Sequence, residues 1–195
     1  MIFVSHNLTS IAYLCNEGIY LEQGMVKTTG EILKVINEYK NPKSEKLKTK
    51  NLNLPNNDYF KFVSISIENS TDNTIACGSE LAFSLKYGLK KPIIDAIFRI
   101  EFKNFSNQIL FVCNNKLTGD IFLNLKGSGN IICSIPKIGL NTGNYIIDLY
   151  IEDSNTVIFS SQNIIQFQIT RGSYYKTNMM PGSDRMFLIE HRWII

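Results

Sequence analysis

Few residue types in this chain can do acid–base, nucleophilic or metal chemistry: there are two histidines, four cysteines and seventeen carboxylates. Cys15, Cys77, Cys113 and Cys133 form no CxxC pair, and no histidine stands at zinc-finger spacing from them. Cys113 and Cys133 fall in apolar, strand-like runs, where a thiol behaves as a small hydrophobe. All four are therefore read as reduced core cysteines. His191 has no second His or Cys nearby and no partner to position it as a base, so it reads as structural. The carboxylates could supply the pair a glycosidase needs, but nothing in their spacing selects two. No GxxxxGK[ST] loop is present to cradle phosphates, and no acidic strand end to hold Mg²⁺ and water. The chain is expected to catalyse nothing by itself and to need no cofactor.

The remaining chemistry is arranged on strand faces. In NYIIDLYIE, inward Tyr145, Ile147, Leu149 and Ile151 would turn Asp148, Tyr150 and Glu152 outward. In AIFRIEF, inward Ala96, Phe98, Ile100 and Phe102 would turn Arg99 and Glu101 outward. Such a set either binds a polar ligand, if the two strands share a sheet, or pairs its own charges across a solvated sheet face.

Which elements position these faces follows from periodicity. Residues 1–40 mix short apolar runs with helical spacing: Met1 to Val4 as the end of a buried strand, Thr9 to Asn16 as a short helix, and two strands around Glu22-Gln23-Gly24. TTGEILKVINEYK follows, with Thr28 and Glu31 at capping-box spacing and an apolar stripe of Ile32, Val35, Ile36 and Tyr39. This piece is too small to fold stably alone. Residues 41–57, charged and Asn/Pro-rich, read as a linker. From residue 58 to 195 the period becomes two, in about eight short runs ending with MFLIEHRW and separated by turn signals. The fold class is mainly β, an antiparallel immunoglobulin-like sandwich with a small α/β N-terminal remnant.

The net charge of +3 is a local matter. Lys40 to Lys50 hold five lysines and one glutamate, and the rest of the chain is close to neutral. A basic linker is no nucleic-acid surface, so no such partner is expected. No apolar run approaches the roughly 20 residues a bilayer requires, and MIFVSHNLTS has no secretory pattern. A cytoplasmic location is the expectation.

The segment FVSHNLTSIAYLCNEGIYLEQGMVKTTG resembles the end of an ABC-transporter ATPase domain, with strand, histidine, helix and a G-x-x-L-x-x-G hairpin in that order. By that resemblance His6 would be the switch histidine that senses the γ-phosphate of ATP. ATP and Mg²⁺ would then serve only the intact parent ATPase, and Met1 would begin inside a domain. The order of ATPase end, charged linker and β-sandwich resembles the ATP-binding subunits of O-antigen and related polysaccharide exporters, the Wzt type. The matching pieces are GSELAFSLKYG, the run I-P-x-x-x-L-x-x-G-x-Y (Ile135, Pro136, Leu140, Gly143, Tyr145) and a last strand ending in His191-Arg192-Trp193.

The resemblance implies a sandwich that binds the finished glycan and so licenses export. The partners implied are a bacterial surface polysaccharide, a transmembrane exporter subunit that holds the complex at the inner membrane, and a second copy, in some members by exchange of the last strand. Sugar recognition uses an aromatic ring and planar hydrogen-bonding groups, which makes Arg99, Glu101, Asp148 and Tyr150 the candidate carbohydrate-binding residues. Trp193, on one face with Phe187, Ile189 and His191, is expected to pack in a core or an interface. The competing reading is a dimerisation or protein-docking module of the ATPase subunit that binds no glycan.

Overall fold

The computed structural model describes residues 2–4, 8–22, 24–40, 50–54, 56–68, 70, 72–177, 179–182, 185–191 and 193. They form two compact units, divided after Glu45. In the first, α1 (Leu8–Leu14) precedes an antiparallel pair, β1 (Glu17–Glu22) and β2 (Met25–Glu31), and then α2 (Ile32–Lys40). Ile32, Val35 and Ile36 of α2 are buried, and Gly18 lets them approach, since a Cβ there would stand 2.8 Å from Ile32 Cδ1. The rest of the expected stripe departs from its pattern: Tyr39 is half exposed and meets Tyr20 edge to face. The capping box does not form. Thr28 lies in β2 rather than before the helix, and its hydroxyl donates to Glu38. Residues 2–4 are not a buried strand either, for Ile2 and Val4 are almost fully exposed.

The second unit is built from β3 (Lys50–Asn53), β4 (Phe60–Ile67), β5 (Thr74–Ala76), β6 (Leu81–Leu89), β7 (Ile93–Asn104), β8 (Ile109–Asn114), the short α3 (Asn115–Thr118), β9 (Phe122–Leu125), β10 (Ser128–Ile135), β11 (Gly143–Asp153) and β12 (Thr156–Thr170). One sheet has the order β10-β6-β4-β3. The other runs β5-β12-β11-β7-β8, with β9 also on β7. All pairings are antiparallel except β5 with β12. Alternation produces this result: the apolar face of each strand is buried between the sheets, and the chain crosses between them several times. Phe83, Phe102 and Phe167 meet edge to face at the centre, and Phe111 stacks on Phe102 at 4.2 Å.

Two segments differ from expectation. Lys50–Asn53, linker by composition, pairs with β4 because Leu52 and Leu54 reach the core. Among the described residues, the segment expected as a last strand makes a single bridge, Leu140 with Phe187. Its partner is an irregular loop at residues 139–141, too short to extend a ladder. The Tyr175 hydroxyl instead donates to the Ile189 carbonyl and accepts from the Ile189 N–H. The buried residue is Leu188, of opposite parity to the expected face, while Ile189 and Trp193 are exposed.

The I-P-x-x-x-L-x-x-G-x-Y run is the corner into β11. Leu140 is fully buried, and the buried Tyr145 hydroxyl donates to the Asn141 carbonyl at 2.8 Å. This is the tyrosine corner of immunoglobulin-like sandwiches. Burial pushes the Tyr145 phenol up to about 12, so it remains a donor. Tyr145→Phe strands that carbonyl, and urea unfolding should show a loss of roughly 1–3 kcal/mol with an unchanged m-value.

Candidate functional site

β7 and β11 are neighbours, in a register that sets Tyr150 opposite Arg99 and Asp148 opposite Glu101. The four candidate residues therefore form one block on the face turned away from the core, since Phe98, Ile100, Phe102, Ile147, Leu149 and Ile151 all belong to the core cluster. Arg99 is its centre. Its guanidinium pairs with Glu101 at 2.8 Å and with Glu152 at 3.3 Å, and lies over the Tyr150 ring at 4.2 Å. Its Nε is buried with no acceptor among the described residues. Burial, then the nearby Glu101 and Asp148 carboxylates, push the Tyr150 phenol up, so it is a protonated donor at neutral pH.

Asp148 is on this face but not at the surface: it is 0% exposed. One carboxylate oxygen accepts from Lys103 and the other accepts the Asn163 N–H at 2.8 Å. Asn163 has a left-handed backbone, φ 51°, where the β11–β12 register shifts between Ile147 and Leu149. Asp148 thus pins a bulge, while Arg99, Tyr150 and Glu152 keep partial exposure. The Asp148 carboxylate beside Lys103 holds the ammonium above its ordinary range.

Lys103 and Asn163 are the contributors not foreseen. Extending the alternation of Arg99 and Glu101 by one step reaches Lys103. A bulge at Asn163 has no sequence signal beyond the tolerance of Asn for a left-handed backbone. His6 lies outside the described residues. No cluster of three or more His, Cys, Asp or Glu among the described residues could hold a metal. His191 contacts Tyr175 and Trp193 edge to face and the Ile189 carbonyl. The block offers a ring, a guanidinium and carboxylates that largely neutralise one another. That chemistry can donate and accept hydrogen bonds across an exposed face.

None of the four residues lines a separate cleft in the second unit. That cleft, about 270 Å³, opens between the sheets beside β8, α3 and β10.

The second unit is an immunoglobulin-like sandwich with a polar block on one sheet, and comparison with known proteins shows its family. Residues 47–180 match the Wzt C-terminal domain. The chain belongs to that family, a non-catalytic domain of the ATP-binding subunit of ABC exporters. Among solved structures it is similar to the crystal structure of the C-terminal domain of Wzt, with a TM-score of 0.57 and 12% identity over 81% of this chain and 95% of that one. Weaker likenesses include a Niemann-Pick type C2 protein from Japanese carpenter ant (TM-score 0.42, 9% identity, 63% of this chain and 99% of that one). Another is the CARDB domain of the PF1109 protein from Pyrococcus furiosus (TM-score 0.35, 13% identity, 65% and 98%). No curated protein matches the sequence significantly. No helix among the described residues is long and apolar enough to cross a membrane.

Proposed function

We propose that the sandwich binds the finished O-antigen-type polysaccharide and gives an ABC exporter its substrate specificity, working at the cytoplasmic side of the inner membrane through the exporter's transmembrane subunit. The observation that carries this reading is the Arg99–Tyr150 pair flanked by Glu101 and Glu152. A planar cation, a ring and carboxylates are held in place before any ligand arrives, which lowers the entropic cost of gripping hydroxyls. Asp148 acts beneath that surface by fixing the sheet.

A second reading, an assembly module without glycan, has its own support in the terminal segment. Trp193 is 91% exposed and Ile189 71%, more apolar surface than a free tail should carry. A second copy covering this segment would form a homodimer, which is compatible with either reading.

The test is calorimetric titration of the chain with surface polysaccharide from its source strain and with an unrelated polysaccharide, on samples sized by light scattering. Saturable binding to its own glycan alone is the expected result. A folded dimer that binds neither would replace the glycan reading with the assembly reading.

A further inference from the structure

The cleft between the sheets is distinct from the polar block. Its floor is core: Phe83 and Leu85 of β6, Phe98 and Ile100 of β7. Its walls are the two edge strands on one side of the sandwich, with Val112 and Cys113 from β8 facing Ile131 and Cys133 from β10. At its mouth stand two exposed apolar side chains, Leu117 of α3 at 77% and Ile132 at 60%. Apolar surface is therefore continuous from core to solvent.

Most polar side chains around the cleft are already engaged, and the Cys113 and Cys133 thiols hydrogen-bond each other. Asn114 accepts the Lys116 N–H, and Asn115 bonds the Phe98 N–H and the Ala96 and Asp120 carbonyls. The Thr118 hydroxyl donates to Asp120 and the Ser134 hydroxyl to Glu80. The lining is chiefly apolar, which suits a hydrocarbon better than a sugar or a phosphate. A dry apolar cavity of roughly 150 Å³ already accepts benzene, and this one, at about 270 Å³, is larger.

We propose that this cleft binds the hydrocarbon chain of an amphiphile, inserted between β8 and β10, with its polar head in solvent beyond Leu117 and Ile132. The proposal is independent of the glycan reading, because it uses other residues on another part of the sandwich.

The four cysteines supply the test. Cys113 and Cys133 line the cleft, whereas Cys15 belongs to the first unit and is only partly exposed. The full chain is alkylated with N-ethylmaleimide, with and without 1-decanol, and each cysteine is followed by peptide mass spectrometry. Decanol should slow modification of Cys113 and Cys133 at least tenfold and leave Cys15 unchanged. Cys133→Phe, which fills the cleft, should abolish protection of Cys113. Ile132→Asp, at an exposed position that folding does not need, should weaken protection at both thiols. Absence of protection, equal slowing at Cys15, or protection unaffected by both variants would overturn the proposal. So would protection that appears without decanol and rises with protein concentration, because a second copy would then fill the cleft.

Discussion

Asp148→Ala should destabilise the sandwich by about 3 kcal/mol, a fall of roughly 6–12 °C in melting temperature for a domain of this size. The reason is geometric. The Asp148 carboxylate is wholly enclosed, and both oxygens have a partner, Lys103 and the Asn163 N–H. Alanine leaves a sheltered ammonium without its counter-charge and a bulge N–H without its acceptor. Lys103 keeps a 12% exposed side chain, which lets water recover part of the loss and sets the effect at the lower end for a broken buried pair. The double variant Asp148→Leu with Lys103→Met should return most of the stability, because a shape-matched apolar pair carries no desolvation cost. Circular dichroism melts of the parent, Asp148→Leu, Lys103→Met and the double variant test this; additive losses in the double variant would rule out the pairing as the cause.

The sign of the pH dependence is fixed by Lys103. Its folded value lies above its ordinary one, so the contribution is full below the unfolded lysine value near 10.4 and disappears as pH rises through the folded value. The penalty of Lys103→Met should therefore be equal at pH 7 and pH 9.

Tyr150→Ala should reduce affinity for the cognate glycan at least tenfold, to the point of no measurable heat, while the domain stays folded. Tyr150 is only partly buried, and within the protein it chiefly carries the Arg99 guanidinium, an interaction of about 0.5–1 kcal/mol at an exposed site. A melting temperature within a few degrees of the parent, together with lost binding, is the expected pair of results. Unchanged affinity would remove Tyr150 from the site and leave Arg99 as a cross-strand ion-pair partner. The contrast with Asp148 is diagnostic, since one variant should lose stability and the other binding.

The strands were legible where both neighbours are regular. The parity of residues 96–102 and 145–151 follows from alternation, since a single inward face must stay inward along an extended strand. Register was not legible: nothing in either strand states that Tyr150 faces Arg99. The burial of Asp148 was invisible for a related reason. It depends on two extra residues of β12 looping opposite it, and the run IIQFQIT hides that shift behind consecutive isoleucines, Ile164 and Ile165. At the terminus, MFLIEHRW has the pattern of a strand, but its partner is a loop ending at Asn141, so parity assigned the wrong residues to the interior. β3 escaped because four residues among lysines and asparagines carry one apolar side chain, Leu52, as their only period-two signal.

The parallel pairing of β5 with β12 bears on how the domain is made. Thr170 bonds to Ile75 across a sequence separation of 95 residues, and β12 is the last strand of its sheet to leave the ribosome. The apolar face of β11 must wait for it. Topologies dominated by such distant pairings fold in milliseconds to seconds, so a nascent chain halted before residue 156 would display half a core to its surroundings, and survival of the young protein would depend on chaperones rather than on its own closure.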